Sequence, residues 1–223
     1  MDKGIFITFE GGEGAGKTTM LEALANLLTS KGYTVTVTRE PGGISISEQI
    51  REVILNPAHT LMDARTEALL YAASRRQHLV EKVVPALENQ HIVLCDRFID
   101  SSLAYQGYAR GLGIEDILMI NQFAIQDLWP DLTIFMDIDP VIGLNRIEEA
   151  EQREINRLDM EAIAFHRSVH AGYMKLLELY PDRMVHVDAN REQKEVYAEI
   201  VALVKDRFAG FLAQHVKPYY KKE

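Results

Sequence analysis

Lys17 and Thr18 close a run, FEGGEGAGKTT, with glycines at positions 11, 12, 14 and 16. Gly11, Gly16, Lys17 and Thr18 fit the spacing G-x-x-x-x-G-K-[ST], with Gly12, Glu13, Gly14 and Ala15 between, and the run joins an apolar stretch to a helical pattern. Glycines accept positive φ, so backbone N–H groups can turn inward and form a cup of donors at the positive end of a helix dipole. A lysine at the rim meets β- and γ-phosphates as a point charge, and the threonine hydroxyl can ligate Mg²⁺. These residues can therefore hold the phosphates of a nucleotide.

Such a loop serves ATPases, switches and small-molecule kinases alike, so the choice falls to other residues. Apolar runs end in Glu10, in TREPGG (38–43) with Arg39 and Glu40, and in DRF (96–98) with Asp96 and Arg97. An Asp that ends an apolar strand in such a protein commonly holds Mg²⁺ directly or through water, which points to Asp96. Arg97 beside it can clamp a second phosphate with both arms of its guanidinium. In LLYAASRRQHLV, Tyr71 and Arg75 stand four apart and share a helix face. An aromatic ring there can stack on a base while the guanidinium donates to a carbonyl on its edge, which favours thymine or uracil over cytosine.

These groups need a scaffold that brings strand ends together. Short β-rich runs recur at 4–9, 33–38, 91–96, 132–138 and 184–189, separated by longer segments of helical spacing. In the first such segment Met20, Leu21, Leu24, Leu27 and Leu28 form one stripe, and Gly32 follows as a stop. Further helices are expected over 64–88, with Pro85 ending or kinking the first of them, and over 114–128 and 160–179. Strands alternating with helices predict an α/β fold, a parallel sheet flanked by helices on both faces, in one domain spanning residues 1–223. Its carboxyl edge is where ligands gather.

Composition limits the partners. The chain has 223 residues, 47% hydrophobic and 26% charged, with a formal charge of −9. That charge argues against a general nucleic-acid binder, and no stretch approaches the roughly 20 apolar residues of a membrane span. The N-terminus lacks a targeting pattern, and the single cysteine, Cys95, sits in an apolar run, so a cytoplasmic protein without a disulfide framework is expected.

FEGGEGAGKTT, TREPGG, YAASRRQH and DRFIDSSLAYQG, in this order, resemble the bacterial thymidylate kinase family of P-loop nucleoside monophosphate kinases, from about residue 4 to the helix ending near 180. The resemblance implies transfer of the γ-phosphoryl of ATP to thymidine 5′-monophosphate, a step toward dTTP, with Mg²⁺ as cofactor and a homodimer as the usual assembly. It implies that Gly11 to Thr18 bind ATP, that Glu10 and Glu40 lie near the acceptor nucleotide and its metal, and that Arg97 and Arg51 hold the acceptor phosphate. Tyr71 would stack on thymine where Phe is common, Arg75 would meet O4, and Ser102 and Gln106 would complete the base site.

Some family branches carry an arginine in the phosphate loop where this chain has Gly14. Branches with glycine there place basic residues in a mobile lid, which NRIEEAEQREINRLD (145–159) fits with Arg146, Arg153 and Arg157. Arg153 and Arg157 are the expected stabilisers of charge on the transferring phosphoryl. Base-edge chemistry alone leaves uridylate open as acceptor. A regulatory nucleotide switch is the rival of another class, although no N-K-x-D guanine signature is present.

Overall fold

The computed structural model describes residues 3–149 and 157–215. Five strands, β1 (Ile5–Glu10), β2 (Val35–Arg39), β3 (Ile92–Asp96), β4 (Leu132–Asp137) and β5 (Met184–Asp188), form one parallel sheet in the order β2-β3-β1-β4-β5. All five lie where the apolar runs place them. The central strand β1 is buried along its whole length, as expected of a parallel strand covered on both faces, whereas the edge strand β2, VTVTR, is half-exposed.

Ten α-helical segments among the described residues surround the sheet: α1 (Lys17–Ser30), α2 (Ser45–Leu55), α3 (Ala64–His78), α4 (Val84–Glu88), α5 (Ile99–Ser102), α6 (Ile114–Ile125), α7 (Pro140–Glu148), α8 (Ile163–Leu179), α9 (Gln193–Arg207) and α10 (Ala209–Gln214). Strand residues alternate between two cores. Phe6, Val93, Cys95 and Phe135 face Leu79, Val83, Ile117 and Tyr173, while Ile7, Phe9, Leu94 and Ile134 face Leu21, Leu24, Val196 and Ile200.

Pro85 neither ends nor breaks its helix. The turn Leu79–Val83 widens to π-helical spacing, so that Val84 N–H bonds Leu79 O, and Pro85 falls at the start of α4, where its missing N–H costs little. A second π-helical stretch, Leu103–Ala109, continues α5. The helix expected to reach 128 stops at Ile125 because Gln126 takes a positive φ of 55°, and the one expected from 160 begins at Ile163.

The chain runs from β1 outward past β3 to β2, and later crosses to β4 and β5 on the other side of β1. The crevice where these directions part lies at the carboxyl ends, and the register there pairs Arg39 with Asp96, Phe9 with Asp96, and Glu10 with Phe135.

Candidate active site

The glycine loop bends as its composition requires. Gly11, Gly14 and Gly16 have φ of 141°, 70° and 81°, and Gly16 caps α1. A Cβ at Gly14 would stand 2.0 Å from Gly143 O on α7, so an arginine at this position is sterically shut out. Lys17 folds back over the loop, with Nζ donating to Gly12 O at 2.8 Å and Gly11 O at 3.2 Å. Thr18 Oγ1 donates to Asp96 Oδ2 at 2.5 Å, which brings together two hard oxygen donors suited to Mg²⁺.

Burial, with Arg97 adding to it, lowers the Lys17 ammonium to about 8 against the opposing pull of Glu13, Asp96 and Glu10. Anionic phosphates seated on the loop would raise it again, so a nucleotide bound there as the sequence suggests would take up a proton above pH 8. ATP affinity is therefore expected to fall about tenfold per pH unit above that value. Calorimetric titrations from pH 7 to 10 in buffers of different ionisation enthalpy check this, and Lys17→Met should flatten the profile.

Arg97, just beyond β3, has φ 67°, a left-handed conformation fixed by its N–H bonding Phe9 O at 2.9 Å. Its guanidinium reaches Gly11 O at 3.0 Å, Ser101 Oγ at 3.2 Å and Glu13 Oε1 at 2.5 Å. Glu10 lies beneath it. Fully buried and absent from the cavity wall, Glu10 accepts from Phe98 N at 2.7 Å, Ser101 Oγ at 2.6 Å and Tyr173 OH at 2.8 Å. Burial, then the neighbouring Asp100, pushes its carboxyl up to about 7. In this arrangement Glu10 shapes the Arg97 turn.

One cavity of about 950 Å³ joins the glycine loop to Arg39, Glu40, Arg51, Tyr71, Arg75 and Gln106. Asp63 starts α3 by accepting from Arg65 N and Thr66 N, and the helix then directs Glu67, Tyr71, Arg75 and His78 inward. Arg75 is only 1% exposed. Its Nε donates to Glu40 Oε2 at 2.7 Å, Nη1 to Ser102 Oγ at 3.1 Å and to Asn121 Oδ1, and Nη2 to Phe98 O at 3.0 Å. Of a guanidinium's five N–H groups, one on Nη2 is left to meet a ligand in the cavity. Ser102 thus backs Arg75 and does not line the cavity. Arg51 lines it, anchored by Nη1 to Pro41 O at 3.0 Å.

The three arginines of the expected lid divide. Arg146 on α7 lines the cavity and reaches Gly14 O at 3.5 Å and Ala189 O at 3.3 Å. Arg153 lies outside the described residues. The sequence groups Arg157 with the phosphate-stabilising cations, but its guanidinium is buried elsewhere, donating to Ile54 O at 2.9 Å and to Glu67. Buried Glu67 needs a cation, and Arg157 supplies one.

Sequence reasoning missed several supports. His78 bridges Glu40 Oε1 at 2.8 Å and Thr38 Oγ1 at 2.6 Å, and its spacing of three from Arg75 was a signal available in YAASRRQH. Asn121, Ser101 and Tyr173 carry no local signal.

A sequence model of the thymidylate kinase family matches residues 9–200. Among curated proteins, thymidylate kinase from Geobacillus sp. (strain WCH70) is 60% identical over 208 residues, covering 93% of this chain and 99% of the relative. Thymidylate kinase from Clostridium novyi (strain NT) is 56% identical over 205 residues, covering 92% and 100%. Among solved structures, thymidylate kinase from Ehrlichia chaffeensis superposes with a TM-score of 0.75 at 31% identity, covering 91% and 99%.

Proposed function

The chain belongs to the thymidylate kinase family, and we propose that the cavity between the glycine loop and α3 is where it passes the γ-phosphoryl of ATP to thymidine 5′-monophosphate. The carrying observation is the continuity of that cavity. It runs from a phosphate loop with an inward lysine to a buried arginine that keeps one spare donor. ATP fills the end at Gly11 to Thr18, and thymidylate the end at Tyr71 and Arg75.

On this reading Tyr71 stacks on the base, the spare Nη2–H of Arg75 meets O4, and Gln106 completes the edge. Arg97 and Arg51 take the acceptor phosphate, with Glu40 holding Arg75 in place. An acceptor phosphate oxygen is already anionic at neutral pH, so no general base is needed. Catalysis is then alignment and charge neutralisation, by Lys17 with Arg146 and Arg153 on the donor side and Arg97 on the acceptor side.

Thr18 and Asp96 would hold Mg²⁺, which when bound neutralises charge on the β- and γ-phosphates. Magnesium ordinarily keeps several waters and takes one or two protein oxygens, which the paired Thr18 and Asp96 satisfy. EDTA should abolish turnover, and Asp96→Asn should raise the Mg²⁺ concentration for half-maximal rate about tenfold. An unchanged Mg²⁺ titration in Asp96→Asn would remove that residue from the metal site.

The chain acts as one P-loop unit in the cytoplasm, with residues 145–159 as its lid, and as a homodimer. Exposed Leu69 on α3 and Met119 and Phe123 on α6 support the last point, since α3 packs against both α2 and α6 and Phe123 is 89% exposed. Phe123→Asp combined with Met119→Asp should halve the mass seen in sedimentation equilibrium.

A further inference from the structure

Glu67 lies one turn before Tyr71 on α3, is 1% exposed and takes no part in the cavity wall. Its Oε1 accepts from Gln106 Nε2 at 2.8 Å, and its Oε2 accepts from Arg157 Nη2, while Arg110 approaches the two oxygens at 3.5 and 3.4 Å. Both arginines are fixed from other sides, Arg157 by Ile54 O at 2.9 Å and Arg110 by Glu161 at 2.5 Å. A carboxylate flanked by guanidiniums offers only lone pairs, so it must take the NH₂ end of the Gln106 amide. Gln106 lines the cavity, and among the described residues no group donates to its Oε1. The amide is thus presented carbonyl-first.

We propose that Glu67 is a positioning residue for base specificity, fixing which end of the Gln106 amide faces the acceptor. This rests on the base site proposed above. With Arg75 offering a donor and Gln106 an acceptor, the pocket is complementary to a carbonyl beside a ring N–H, as on the O4 and N3–H edge of thymine. Cytosine reverses both groups, with an amino group beside an unprotonated ring nitrogen. Glu67 therefore sets half of this code without touching the base.

Glu67→Gln gives a sharp test, because Arg157 and Arg110 can only donate. The oxygen of the new amide must turn to them and its NH₂ to Gln106, whose own amide then has to flip and offer NH₂ to the base. The readout is kcat/KM for dTMP and for 5-methyl-dCMP, which share the ring substituent and differ at the edge. Glu67→Gln should lower the preference for dTMP at least about tenfold, through a higher KM for dTMP and a gain for 5-methyl-dCMP, with KM for ATP unchanged. Glu67→Asp keeps a carboxylate and should retain the preference even where it loses stability. Gln106→Ala should lower the preference without the gain for 5-methyl-dCMP.

Equal losses for both acceptors in Glu67→Gln, or an unchanged preference there beside a lowered one in Gln106→Ala, would overturn the proposal while leaving the base site standing. An unchanged preference in both Gln106→Ala and Arg75→Ala would instead overturn the base site, and this inference with it.

Discussion

Replacing Arg97 with alanine is expected to lower turnover about a thousandfold while ATP affinity changes by no more than a few fold. The residue stands at the junction of the two proposed half-sites, held in a left-handed turn with its guanidinium against Gly11 O and the Glu13 carboxylate. On the proposed reading an acceptor phosphate arriving there would replace Glu13 as the partner of Arg97, and charge that spreads over the transferring oxygens would then find a fixed cation. ATP, on the same reading seated on loop N–H groups and Lys17, would make little use of that cation before transfer. Steady-state kinetics with an independent ATP titration separate the two quantities. A loss of ATP binding comparable to the loss of turnover would place Arg97 in the donor site instead. Arg97→Lys should recover only part of the rate, because a point charge cannot present two parallel donors.

Arg75→Ala is expected to cost about 3–5 kcal/mol of stability, since it leaves Glu40 buried with His78 as its remaining ionisable partner and strips Asn121, Ser102 and Phe98 O of a donor. Chemical denaturation measures that directly. In the folded fraction, the preference for dTMP over dCMP should fall about tenfold or more, because the proposed donor for O4 is gone and the rejection of an amino group at that position goes with it. Inhibition by 2-deoxyribose 5-phosphate, which has no base, should stay within twofold. Equal discrimination in the variant and the parent would sink the assignment of Arg75 to the base edge.

The residues that were legible in sequence are those whose partners lie close along the chain. The glycine loop is defined by neighbours from 11 to 18, the strands by continuous apolar runs that a buried parallel sheet requires, and Tyr71 with Arg75 by helical spacing. Long-range partners were not legible. Tyr173 meets Glu10 across 163 positions, and nothing in either segment announces the other. Ser101 and Ser102 are adjacent in a short helix, and sequence does not say which turns to Arg97 and which to Arg75. Arg157 sits in an arginine-bearing run that reads as a lid over the phosphates, yet it is buried on Glu67. Helix α9 is a different case: Val196, Ile200 and Val204 repeat every four residues, and that stripe was there to be read.

The most direct test of the central claim is a coupled assay of ADP release from Mg-ATP, run in parallel with dTMP, dUMP, UMP, CMP, AMP and no acceptor. A pocket that pairs one arginine donor with one glutamine acceptor, beside an arginine clamp for phosphate, predicts strong stimulation by dTMP, shared only by acceptors with the same O4 and N3–H edge, with CMP and AMP close to the rate without acceptor. A response equal across all acceptors would contradict the account, because it would leave the phosphate loop working while Tyr71, Arg75 and Gln106 read no base.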